Sequence, residues 1–146
     1  MSSNVDPEIP SAVRFGDRRF AVSVLDLPAK GQDRYVVRDG FAAVADGASP
    51  VRSGGLDVGE FAARALGVMA DQVADGASLR AAVRAAIGAA AAGERDAAAT
   101  PAATLIAVQQ ERGQLNFGGF CDAAALIRLA DGRVWRTRHD PVLAHF

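Results

Sequence analysis

The sequence predicts an α+β domain in which two helices lie on an antiparallel sheet. Three observations lead there. Apolar segments of period two, rich in β-branched residues, stand towards both ends of the chain. Two segments of helical period lie next to each other between them. Asp39-Gly40 and Asp131-Gly132 separate neighbouring strand-like runs at hairpin spacing. Strands, then helices, then strands fit helices laid on a sheet better than alternating β-α-β units.

A chain of 146 residues, 50% of them hydrophobic, has enough apolar material for one domain with its own core. A flexible lead-in is expected over residues 1–18, where prolines and small polar residues dominate, and the folded portion over 19–146. The net charge of −1 supplies no long-range attraction to polyanions, the only lysine is Lys30, and the arginines are scattered. Neither nucleic acid nor a membrane is therefore expected as a partner. Cys121 is the only cysteine, which excludes an internal disulfide, and in an apolar run it reads as a small buried hydrophobe. The first residues lack the charged start and apolar stretch of a signal peptide. No apolar run reaches the roughly 20 residues that span a bilayer. A cytoplasmic location is the expectation.

In chain order, a short strand is expected near Val13 to Phe15. A second runs from Arg19 to Pro28, with Phe20, Val22 and Val24 on one face. Tyr35 to Val37 and Phe41 to Ala45 flank Asp39-Gly40 and predict a hairpin. Its second arm is apolar on both faces, which suits a central strand covered on each side. Asp46-Gly47 then leads into a loop rich in serine, glycine and proline. Val58, Phe61, Ala62, Ala65, Met69 and Val73 share one face of a helix that Asp75-Gly76 ends. Ser78 reads as the N-cap of a second helix carrying Leu79, Val83 and Ile87, with Ala82, Ala86 and Ala90 permitting close packing on more than one side. Gly93 to Pro101 is read as a loop. Strands are expected over Thr104 to Val108, Leu115 to Phe120, Ala123 to Leu129 and Val134 to Thr137, forming a meander.

The candidate chemistry lies between Lys30 and Pro50. The hairpin would bring Asp33, before its first arm, and Asp46, after its second, to one edge of the sheet. Each aspartate alone could simply cap a turn. Two carboxylates held close together need a counter-charge, and a divalent metal ion supplies one. The Arg52 to Gly55 loop has the composition of a phosphate cradle but neither of the established glycine patterns, so a plain connection is the better reading. His139 and His145 have no metal-ligand spacing with cysteine. Trp135 is read as a sheet-packing residue. No Gly-x-Ser-x-Gly elbow is present for a serine hydrolase.

The ordered series Gly31-Gln32-Asp33, Val44-Ala45-Asp46-Gly47, Gly59 to Leu66, Pro101 to Leu105 and Phe120 to Val134 resembles the metal-dependent PP2C-type protein phosphatases of bacteria. The resemblance extends from about Arg19 onward. It implies a sandwich of two antiparallel sheets flanked by helices, with a cluster of Mg²⁺ or Mn²⁺ at one end. It implies that Asp46 bridges two ions and is central to catalysis, that the Gly47 carbonyl ligates one ion, and that Asp33 supports the cluster through bound water. The substrate would be a phosphoprotein or a small phosphoester.

This chain also departs from that family pattern. Gln32 stands where an acidic residue is frequent, and Pro28 falls about where a phosphate-gripping arginine belongs, leaving Lys30 as a less directional phosphate contact. Cys121-Asp122-Ala123 replaces a Gly-Asp-Ser segment, and Asp122 reads as a strand-end hydrogen-bonding residue. The family's domain continues further, with two more metal-binding aspartates. The expectation is accordingly an N-terminal portion of the domain, incomplete at its C-terminus, with weak metal binding. Uncovered sheet edges would invite self-association. The alternative reading is a non-catalytic module of the same fold that binds a partner or oligomerises.

Overall fold

In the computed structural model, which describes residues 12–22, 32–50, 56–90, 92, 99–120 and 123–137, the elements follow in the expected order. They are β1 (Ala12–Phe15), β2 (Arg18–Ala21), β3 (Arg34–Arg38), β4 (Phe41–Ala48), α1 (Val58–Ala74), α2 (Leu79–Ala90), β5 (Ala102–Glu111), β6 (Gln114–Phe120), β7 (Leu126–Arg128) and β8 (Val134–Arg136). The main sheet is antiparallel in the order β3-β4-β5-β6, while β1-β2 and β7-β8 form separate hairpins. The architecture is α+β, as the order of segments predicts.

Period-two alternation decides which side of the sheet carries the helices. Phe41, Ala43, Ala45 and Gly47 of β4 are buried, while Val44, Asp46 and Ala48 between them are exposed. Leu105 and Ala107 of β5 are buried on the same side and join Ala62, Leu66 and Met69 of α1 and Leu79, Ala82 and Ala86 of α2 in one core. Phe41 and Met69 are the largest fully buried side chains. The alanines on β4 and both helices let backbones come close, so a modest number of large side chains fills the interior.

Local chemistry fixes the helix ends. The Asp57 carboxylate accepts from the Glu60 N–H at 2.9 Å and caps α1. At the other end Gly76 takes φ +88°, the Gly76 N–H reaches the Val73 carbonyl at 3.0 Å, and the Ala77 N–H reaches Gln72 at 2.9 Å. This is a Schellman closure, which needs the left-handed residue that glycine supplies. Gln109, only 5% exposed, donates from Nε2 to the Ala77 carbonyl at 3.0 Å and ties β5 to the turn between the helices. Its Oε1 is buried with no hydrogen-bond partner among the described residues.

The turns differ in kind. Arg112 and Gly113 both have positive φ, as a type I′ turn requires. At Asp39-Gly40 only Gly40 is left-handed (φ +74°). Asp39 instead accepts the Arg14 N–H at 2.7 Å, while the Gly40 N–H donates to the Arg14 carbonyl at 2.6 Å, so β1 is clipped to the turn. At the β7–β8 turn, Asp131 accepts the Arg133 backbone N–H at 3.0 Å and its Nε at 2.7 Å. These two bonds hold its carboxyl below the usual carboxylate range.

Four expectations need correction. First, β4 does not stop before Asp46-Gly47 but runs through Ala48, because Thr104, Ala103 and Ala102 of the long strand β5 pair with Asp46, Gly47 and Ala48. Second, β4 is central, but among the described residues its second face is only partly covered. Val44 is 52% exposed there, where the β1–β2 hairpin and Ala125 flank a groove of about 360 Å³. Third, the buried stripe of α2 is Leu79, Ala82, Ala86 and Ala90, and Ile87 is 49% exposed, so the helix is packed on one side. Fourth, β2 starts one residue earlier than expected and ends at Ala21; the rest of the strand expected up to Pro28 lies outside the described residues. Trp135 does pack as expected, its ring 5.6 Å from that of Phe117. Among the described residues no helix is long and apolar enough to cross a membrane.

Candidate metal and phosphate site

The β3–β4 hairpin builds the site through its register. Arg38 pairs with Phe41 and Arg34 with Ala45. The pairing itself ends at Arg34 and Ala45; carried one residue further, it would set Asp33 across from Asp46. Asp33 shares strand parity with Tyr35 and Val37, and Asp46 with Ala42 and Val44, so both aspartates belong to the face opposite the helices. Directly opposed residues of an antiparallel pair have Cβ atoms about 4.5–5.5 Å apart. Both aspartates are exposed. On the other side of Asp46 its register partner is Thr104 of β5, which extends the row to Asp33, Asp46 and Thr104.

Gly47, the next residue, faces the helices. A Cβ built there would lie 2.5 Å from Val58 Cγ1 and 2.9 Å from the Gln32 carbonyl oxygen, so only glycine fits. The first turn of α1 and the backbone ahead of β3 thus close on the strand at this point. The Gly40 carbonyl accepts the Gln110 N–H at 2.8 Å. Antiparallel alternation then turns the carbonyls of even-numbered β4 residues towards β5 and those of odd-numbered ones, Gly47 included, towards the β3 side. The Gly47 carbonyl is therefore directed to the side on which Gln32 and Asp33 lie. Gln32 Nε2 donates to Ser49 Oγ at 3.1 Å and links the two strand ends. Arg34 places its guanidinium 2.7 Å from the Asp33 carbonyl oxygen.

Two neighbouring carboxylates and a carbonyl form an all-oxygen donor set, the kind that hard divalent cations prefer. Mg²⁺ in particular keeps several waters and is often held by only one or two carboxylates. Among the described residues no group of three or more His, Cys, Asp or Glu side chains is placed to hold a metal. Nor does the Asp46 carboxylate take part in any hydrogen bond or ion pair among them.

Lys30, Arg52 to Gly55, Cys121, Asp122, His139 and His145 lie outside the described residues. The Asp57 carboxylate occupies the Glu60 N–H, so this donor at the α1 N-terminus is already used within the helix. Thr104 was not singled out from the sequence; only the strand register reveals it beside Asp46. Asp57 was missed too, although Asp57-x-x-Glu60 is a legible capping pattern. Compared with known proteins, the chain matches no protein-family model, no curated protein and no solved structure.

Proposed function

We propose that the chain carries the metal-binding end of a PP2C-like phosphoester hydrolase, with Asp46 as its central ligand. The observation that supports this reading is the pairing of Arg34 with Ala45 at the end of the β3–β4 hairpin, which carried one residue further would set Asp33 beside Asp46 on one face of the sheet. Ionised carboxylates brought close together repel each other, and Mg²⁺ or Mn²⁺ would offset that repulsion. Asp46 and the Gly47 carbonyl would hold the ion, and Asp33 would act through bound water. When bound, such an ion makes water a better nucleophile at neutral pH and offsets charge on phosphoryl oxygens. The residues themselves do the positioning. Pairing with Thr104 fixes Asp46, the missing side chain at Gly47 keeps α1 against the strand, and the Gln32–Ser49 bond holds the strand ends. Lys30 would attract the phosphate as a point charge. The substrate class is a phosphorylated protein or a small phosphoester. The hairpins beside the open face of the main sheet support a two-layer, sandwich-like arrangement.

A second reading, a non-catalytic module of this fold that binds a partner or oligomerises, is favoured by the half-open apolar face around Val44. Manganese-dependent hydrolysis of p-nitrophenyl phosphate separates the two. The enzyme reading predicts turnover that requires Mn²⁺ and falls to background in Asp46→Asn. Equal turnover by the wild type and Asp46→Asn would remove Asp46 from the site. No turnover by a folded wild type at saturating Mn²⁺ would leave the module reading.

A further inference from the structure

We propose that the outer edge of β6 is a docking site for an extended acidic peptide, which would join the main sheet as a further strand beneath Arg80 and Arg84. β6 is the end strand of the β3-β4-β5-β6 sheet, and among the described residues no strand is hydrogen-bonded to its other side. Glu111 pairs with Gln114 across the two-residue turn, so even-numbered β6 residues direct their backbone groups at β5. The N–H and C=O groups of Leu115, Phe117 and Gly119 therefore face outward.

Exposed edges in soluble proteins are usually guarded by charged residues, proline or a bulge. The β6 sequence Gln-Leu-Asn-Phe-Gly-Gly-Phe contains no charge and no proline, and its pairing with β5 is regular throughout. Beside this edge lies an open groove of about 650 Å³ between α2 and β6. Leu79 packs directly on Gly118, where a Cβ would come within 3.1 Å of Leu79 Cδ2. Arg80, Arg84 and Glu111 line the groove; both arginines are exposed and among the described residues neither is engaged in a hydrogen bond or ion pair, while Glu111 accepts from Asn116 Nδ2 at 3.3 Å at the turn end of β6, leaving the arginines in excess.

The spacing suits an added strand. Arg80 and Arg84 are four residues apart on a helix, a rise of about 6 Å. Same-face residues at i and i+2 of a strand are about 6.5–7 Å apart. A peptide with acidic side chains at alternate positions would therefore set one against each guanidinium while its backbone bonds to Leu115, Phe117 and Gly119. A second copy of this chain fits less well. Antiparallel β6–β6 pairing about a two-fold axis would place both arginine pairs on one face of the joined sheet, where like charges repel.

The test is fluorescence anisotropy with a labelled eight-residue peptide of alternating Glu and Val, and a Lys-Val counterpart. The acidic peptide should bind at least tenfold more tightly. The double substitution R80E and R84E, on exposed positions, should abolish or reverse that preference. Leu115→Pro, which removes an outward N–H while keeping the β5 ladder, should weaken binding. In the unmodified chain, bound acidic peptide should slow amide exchange at Leu115, Phe117 and Gly119. Charge-blind binding, no protection at those amides, or protection arising instead from dimers of the chain would overturn the proposal.

Discussion

Replacing Gly47 with alanine is the most direct probe of how the candidate site is held together. The new methyl would lie 2.5 Å from Val58 Cγ1, 2.9 Å from the Gln32 carbonyl oxygen and 3.4 Å from the Val58 carbonyl oxygen. Two of those three neighbours are backbone atoms and cannot rotate away. The third belongs to a β-branched residue in the first turn of α1, buried to 7% exposure and confined to essentially one rotamer. Overpacking of this kind costs about 1–3 kcal/mol. Gly47 is not left-handed, so alanine also gains about 0.4–1 kcal/mol by restricting the unfolded chain. The net expectation is a loss of about 1–2 kcal/mol. Urea denaturation should show the midpoint falling by about 0.5–1 M at unchanged slope. Pairing Gly47→Ala with Val58→Ala removes the closest contact and should return about 0.5–1 kcal/mol relative to additivity. The reasoning fails if Gly47→Ala is neutral or stabilising, because the strand and α1 would then not be in contact as described.

Two further predictions concern the scaffold. Asp57→Ala removes the α1 cap and should cost about 1 kcal/mol in the same denaturation assay, with Asp57→Asn close to neutral. Gln109→Glu would put a carboxylate against the Ala77 carbonyl at a position 5% exposed, two acceptors with no shared proton. Burial and that carbonyl would raise its folded-state pKa above the unfolded value, so the variant should be destabilised at neutral pH by about 2 kcal/mol or more. Stability relative to wild type should recover as pH falls through that raised pKa, because the folded state then binds the proton more tightly than the unfolded chain. Thermal melts at neutral and acidic pH would reveal the convergence.

The parts of this fold that were legible in the sequence are those set by period and turn chemistry. The apolar run Phe41 to Ala45 after Asp39-Gly40 forms a strand, and Ala62, Ala65 and Met69 repeat at helical spacing. The Asp39-Gly40 and Asp131-Gly132 turns then lead directly to the β3–β4 and β7–β8 pairs. Exposure was harder to read. Val44 and Ile87 are as apolar as their buried neighbours, and which face is covered depends on what packs there, which no local pattern encodes. The end of β4 was misplaced because Asp46-Gly47 has the composition of a turn, whereas its pairing is imposed by a strand more than fifty residues later. For the candidate site, the hairpin that leads from Asp33 to Asp46 was legible through its Asp39-Gly40 turn. Thr104 and the closure of Val58 on Gly47 depend on tertiary contacts between distant segments, so they appear only in the fold.

Manganese binding followed by electron paramagnetic resonance tests the carboxylate pair itself, free of any assumption about substrate. Loss of the free Mn²⁺ signal on adding the folded wild-type chain should titrate to saturation, with Mg²⁺ competing. Asp46→Asn should abolish that loss, and Asp33→Asn should weaken it by about 10–100-fold, as expected for a group acting through bound water. Saturable Mn²⁺ binding that survives Asp46→Asn unchanged, or no binding by the wild-type chain, would contradict the assignment of Asp33 and Asp46 as a metal site.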